Sequence, residues 1–138
     1  MRPQSIVTFE RLYIAAFVLG IVSIVQTWSI QTAMLDRDPR LAAIWWLPHA
    51  SLAMRCVIAG MLWYFVARQP AVVAKWIVVA LAGYGAILLA MLLYGLVTGA
   101  ASIAIVVPSA AQNILYIAAA AMLFRPDARE WFGEGMVA

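Results

Sequence analysis

Four apolar runs, each long enough to cross a bilayer, occupy almost all of this 138-residue chain. A membrane-crossing helix needs about 20 predominantly apolar residues, and here the runs cover residues 9–31, 44–67, 72–97 and 101–124. Only 11% of the residues are charged and 67% are hydrophobic, against about 25% charged in a soluble domain. Such a surplus of apolar side chains is stable in lipid. The length allows one domain, residues 1–138.

The breaks between runs are short: Asp36-Arg37-Asp38-Pro39-Arg40, Arg68-Gln69-Pro70 and Thr98-Gly99-Ala100. Short connections make consecutive spans antiparallel neighbours. The predicted fold is therefore an all-α, integral membrane, up-down-up-down four-helix bundle. Pro48 falls in the first turn of the second span, where its missing N–H does no harm. Pro108 falls inside the fourth, where a kink is expected. Residues 125–138 form a short tail, and Trp131 and Phe132 suit an interfacial position against lipid headgroups. The first run, from Leu12 to about Ile30, exceeds a signal-peptide core and lacks an A-x-A cleavage site, so it reads as a span that stays.

Lys and Arg placement orients such a bundle. Arg2, Arg11, Arg68, Lys75, Arg125 and Arg129 share one side, and Arg37 and Arg40 the other. The bias predicts both termini in the cytoplasm. Trp45, Trp46 and Trp76 lie near span ends, as an aromatic belt requires. The net charge of +3 is small and its basic residues are dispersed, which excludes a nucleic-acid patch.

The remaining basic residue is Arg55, deep in the second span. A mid-membrane arginine costs roughly 2.5–3.5 kcal/mol on insertion scales, so something must compensate it. Helical spacing gathers polar residues in the other spans. Ser23, Gln26 and Thr27 lie at i, i+3, i+4 in the first, with Ala16 and Gly20 extending the stripe; Ser109, Gln112, Asn113 and Tyr116 lie at i, i+3, i+4, i+7 in the fourth. At about 1.5 Å per residue, Gln26 stands about 22 Å from Arg11, Arg55 about 20 Å from Arg68 and Asn113 about 18 Å from Arg125. Arg55, Gln26, Asn113, Gln112, Ser23 and Tyr116 thus form a candidate polar layer at one depth. Tyr84 and Tyr94 of the third span bracket it.

Two readings of the layer stand side by side. In one it is interhelical glue, with Arg55 donating to Gln26, Asn113 and freed carbonyls. In the other it binds or conducts an anion or a small polar solute. No span holds a carboxylate at depth, which argues against a proton-coupled exporter of organic cations. Glu10 reads as a solvated end charge beside Arg11, and His49 as an interfacial side chain. With one cysteine and one histidine, the chain offers no internal disulfide, no CxxC pair and no intrachain bis-histidine haem. No catalytic residue, metal ligand set or cofactor site is expected. Cys56 reads as a small packing residue.

Phe9-Glu10-Arg11-Leu12-Tyr13, the stretch from Trp63-Tyr64-Phe65-Val66-Ala67-Arg68 to Val73-Ala74-Lys75-Trp76, and Leu123-Phe124-Arg125-Pro126-Asp127-Ala128-Arg129-Glu130-Trp131-Phe132 resemble a family of uncharacterised small four-span inner-membrane proteins of Gram-negative bacteria. The resemblance implies an inner-membrane four-helix protein and brings no activity with it. The length is also similar to that of small dual-topology fluoride channels, but their glycine-rich signature is missing. The leading expectation is a non-enzymatic membrane protein that acts through helix contacts, as an accessory or regulatory subunit or a homo-oligomer. The alternative is a small oligomeric channel or transporter that uses Arg55. The bilayer is the expected partner in both, with a homo-oligomer or a larger membrane complex.

Overall fold

The computed structural model of the chain describes residues 2–37, 40 and 43–134. Four long helices dominate it: α1 (Gln4–Arg37), α2 (Leu47–Ala67), α3 (Val72–Val97) and α4 (Ile103–Met122). A short fifth, α5 (Pro126–Trp131), follows directly. All four long helices are long and apolar enough to cross a membrane. They run up, down, up and down, as the short connections require. α4 packs between α1 and α3, whereas α2 makes its contacts with α1 and α3. The pole with the first turn of α1 and α5 is the tail pole, and the opposite one the loop pole.

α1 is longer than its apolar run. It has 34 residues, about 51 Å at 1.5 Å per residue, against the expected 9–31. No glycine or proline breaks it between Gln4 and Arg37 beyond the single Gly20, and its polar first turns are covered from below: Ser5, Ile6 and Phe9 are buried. α2 begins at Leu47, after a turn over residues 43–46, with Pro48 in its first turn. α3 ends where Gly99 takes a φ of 74°, a left-handed conformation that glycine adopts without strain. That turn lets the Ala100 and Ala101 N–H groups donate to the Gly95 carbonyl. α4 carries Pro108 within it.

The buried core sits at the tail pole. Ile6, Phe9, Leu62, Val66, Val78 and Leu123 meet there with small residues such as Ala74, Ala82 and Ala119. The tail closes this core instead of lying outward. Ala128 and Phe132 are buried in it, and the Trp131 Nε1–H donates to the Val66 carbonyl at 3.2 Å. This corrects the interfacial reading of Trp131 and Phe132: the same aromatic pair fills the end of the bundle. Residues 135–138 of the expected tail, and Asp38 and Pro39 of the first loop, lie outside the described residues.

Two charges at the tail pole differ from expectation. Lys75 is buried, paired with Glu134, and its Nζ stands 5.0 Å from the Phe124 ring centroid and 5.3 Å from that of Phe132. The aromatic faces and the carboxylate together make that burial tolerable. Glu10 is half-buried. It accepts from Arg2 at 2.9 Å and from the Trp63 Nε1–H at 3.1 Å, with Arg68 3.5 Å away. The belt tryptophans Trp45, Trp46 and Trp76 are exposed, as expected.

A candidate anion-binding cleft

Above the tail-pole core the helices part. On α2, Arg55 shares a stripe with Ala59, Leu62 and Val66, at the i, i+4, i+7, i+11 spacing of one helix face. Leu62 and Val66 are packed in the core, whereas Arg55 is exposed. The same face is thus closed at the tail pole and open half-way up. The space it opens onto is a cleft of about 540 Å³ lined by all four long helices. Arg55 and Ser51 border it from α2, Ser23 and Thr27 from α1, and Gln112 and Asn113 from α4.

The two amides are placed by glycines. A Cβ at Gly20 would stand 2.9 Å from the Gln112 Nε2, and one at Gly85 would stand 2.7 Å from the Asn113 Oδ1. α4 therefore lays one amide into a notch on α1 and the next into a notch on α3. Residues 112 and 113 are about 100° apart on the helix, which suits a helix with a neighbour on each side. Below this amide layer lies a tyrosine layer. The Tyr13 and Tyr116 rings are 5.4 Å apart, and the Tyr13 hydroxyl donates to the Ala59 carbonyl at 3.2 Å. Beneath the tyrosines the apolar core and α5 seal the bundle. The cleft is blind at the tail pole.

The expected polar layer is therefore assembled in part. Arg55, Ser23, Gln112 and Asn113 line one cleft, and Tyr116 lies one turn below Gln112. Gln26 is a correction: it is exposed and does not border the cleft. The cleft face of α1 is Gly20, Ser23, Ile24, Thr27 and Gln31, and at 100° per residue Gln26 lies roughly 115° from its centre. Tyr84 and Tyr94 are also exposed, and neither borders the cleft. Cys56 is exposed as well, about 100° around α2 from Arg55. Thr27, Ser51 and Ser109 also belong to the lining, and helical spacing puts each on the stripe of its helix, Ser51 one turn before Arg55.

The lining does not satisfy itself across helices. Ser23 donates to the Leu19 carbonyl, Thr27 to that of Ser23, Ser51 to that of Pro48, and the Asn113 Nδ2 to that of Ser109 at 2.9 Å. Each of these bonds returns to its own helix. The interhelical network from Arg55 to Gln26 and Asn113 is not formed. Among the described residues, no hydrogen bond or ion pair holds the Arg55 guanidinium. No lining residue is acidic. No family model, curated protein or solved structure matches the chain. Among the described residues there is also no group of His, Cys, Asp and Glu side chains suited to a metal ion.

Chemically, the cleft offers one fixed positive charge with five N–H donors. Two amides and several hydroxyls share the cleft with it. An arginine so placed favours an anion, because its fork matches carboxylate and phosphate geometry.

Proposed function

We propose that the chain is a small, non-enzymatic, integral membrane protein that holds an anion in the cleft between its helices, with Arg55 as the counter-charge. The observation that carries this reading is the pairing state of Arg55. A cation at membrane depth needs a partner, and the lining holds no carboxylate, nor is any of its acceptors on another helix bonded to Arg55. An anionic ligand provides what the protein withholds. Gln112 and Asn113 act as orienting groups, and the Ser109 hydroxyl as a neutral donor. We place the protein in the inner membrane with both termini in the cytoplasm, an orientation that the six-to-two distribution of Lys and Arg toward the span ends supports. In that orientation the cleft faces the periplasm.

Binding is favoured over open conduction, because the tyrosine layer and the apolar core stand between the cleft and the tail pole. A channel or transporter would have to part Phe9, Val66, Val78 and Leu123. The other reading, an accessory subunit or homo-oligomer acting through helix contacts, draws on α2. Its exposed upper half offers a stripe that a helix of another chain could cover.

The test is Arg55→Met in purified protein, titrated with phosphate and small carboxylates by calorimetry. Arg55 has no partner that its removal would orphan, so the variant is expected to melt within about 1 kcal/mol of wild type or above it. Anion binding is expected to weaken by about tenfold or more, since hydrogen bonds to a charged donor contribute roughly 1.5–3 kcal/mol. Arg55→Lys is expected to retain part of the affinity. Unchanged anion affinity in a folded Arg55→Met protein contradicts the reading, as does a wild-type protein that binds none of these anions.

A further inference from the structure

The cleft is open sideways as well as toward the loop pole. At the tail pole α2 and α3 share one core, with Leu62 and Val66 on one side and Ala74, Val78 and Ala82 on the other. Above it they separate. Residues 50–58 of α2 are exposed except for half-buried Leu52, and on α3 Tyr84, Ile87, Leu88 and Met91 are exposed. The facing cleft walls at this gap are Leu52 and Arg55 on α2 and Leu88, Met91 and Leu92 on α3. The cleft thus has a polar side, from Arg55 to Gln112 and Asn113, and an apolar side along α3. Its lateral gap lies within the spans, where the neighbour is lipid.

We infer that the occupant is a single-chain amphiphile with one anionic head group, a phosphate or a carboxylate, taken laterally from the bilayer between α2 and α3. This inference rests on the anion-binding reading above and narrows it. The head group meets Arg55, the one unpaired cation of the cleft. The chain follows Leu92, Leu88 and Met91 out through the gap. A bare anion would use only half of the lining and would leave those side chains facing a water-filled space beside lipid. About 540 Å³ lies within the roughly 300–1,000 Å³ range of small-ligand sites, enough for a head group and part of one chain. Charge complementarity selects the head, and the leucine–methionine wall selects the tail.

The experiment uses the full chain in nanodiscs of neutral phosphatidylcholine. Dodecyl phosphate, inorganic phosphate and dodecanol are added separately, and retained ligand is read by native mass spectrometry. One dodecyl phosphate per chain is expected, with inorganic phosphate and dodecanol each retained more weakly by about tenfold or more. Arg55→Gln is expected to lower dodecyl phosphate affinity roughly tenfold to a hundredfold. Leu88→Trp, which fills the gap but leaves the cation, is expected to weaken dodecyl phosphate and spare inorganic phosphate. That arm decides the matter even if Arg55→Gln fails to fold. If inorganic phosphate is retained as well as dodecyl phosphate and Leu88→Trp changes neither, the amphiphile is overturned while the anion reading stands. If dodecanol is retained as well as dodecyl phosphate, or no ligand is retained, both fall. If a ligand-free dimer forms whose subunits cross-link through position 88, a second copy covers the gap and the amphiphile is overturned.

Discussion

At the scale of single residues, two glycines and one arginine make the cleft what it is. Gln112 and Asn113 look alike in the sequence, yet their notches differ. The atom that a Gly20 Cβ would strike is the far end of Gln112, a long side chain bordering open space, so it can swing into the cleft. Asn113 is short, its Oδ1 stands 2.7 Å from the Gly85 Cβ position, and its Nδ2 is held by the Ser109 carbonyl. Moving it breaks that bond or pushes α3 from α4. Gly85→Ala is therefore expected to destabilise the bundle by about 1–3 kcal/mol, the usual cost of overpacking, and Gly20→Ala by less than about 1 kcal/mol. Thermal unfolding of the two purified variants checks the order, and a larger loss for Gly20→Ala would contradict this packing. Arg55, Gln112, Asn113 and Ser23 were legible as site candidates because spacing puts each on one face of its helix. Gln26 was misplaced because an i, i+3, i+4 set defines a face only to within a residue. The partners of Ser23 on that face are Gly20, Ile24 and Thr27, and a glycine notch is silent in a polarity pattern.

At the scale of elements, the four long helices follow from hydropathy and length, and their alternation from short loops. Their ends follow from less visible causes. α1 starts at Gln4 because α5 covers its first turns, and the tail finds its place through the Val66 carbonyl and the Ser5 N–H, which meet α5, and through Lys75, which meets Phe132 and Glu134 just after it. All three are distant in sequence, so a local reading assigns Trp131 and Phe132 to the lipid interface, where aromatic residues are equally at home. The bond from the Ser5 N–H to the Asp127 Oδ2, 3.1 Å long, ties α5 to the N-terminus of α1. It is the main cause that holds the Asp127 carboxyl below its usual range. A folded value below the unfolded one means that this contribution is present above the ordinary carboxylate range. It is lost as pH falls through the lowered value. Asp127→Asn removes that contribution. The variant is expected to melt below wild type near neutral pH and to converge with it as the solution is acidified through and below the carboxylate range. Melting curves across that range check this, and a constant difference at every pH would show that the Asp127 charge does not tie the tail to α1.

At the scale of the whole molecule, the bundle is two unlike halves. The tail half is closed by Phe9, Val66, Val78, Leu123 and Phe132. The loop half is splayed around Arg55, with the tyrosine layer between them. The sequence carries the polar residues of the loop half but not its opening, because the cleft arises from the parting of α2, a relation between helices. The central claim is that Arg55 stands in a blind cleft that water reaches from the loop pole. It is tested most directly by thiol accessibility in a protein whose native cysteine is replaced, Cys56→Ser. Single cysteines at Ser109 and at Ala119 are exposed to a membrane-impermeant maleimide applied to one face of the membrane at a time. Ser109→Cys is expected to label from the loop pole only, and to be protected by a bound anion when Arg55 is intact. Ala119→Cys, buried below the tyrosines, is expected to stay unlabelled from both faces. Labelling of Ser109→Cys from the tail pole, or no labelling of it from either face, would contradict the account, and labelling of Ala119→Cys would replace the blind cleft with a through-path.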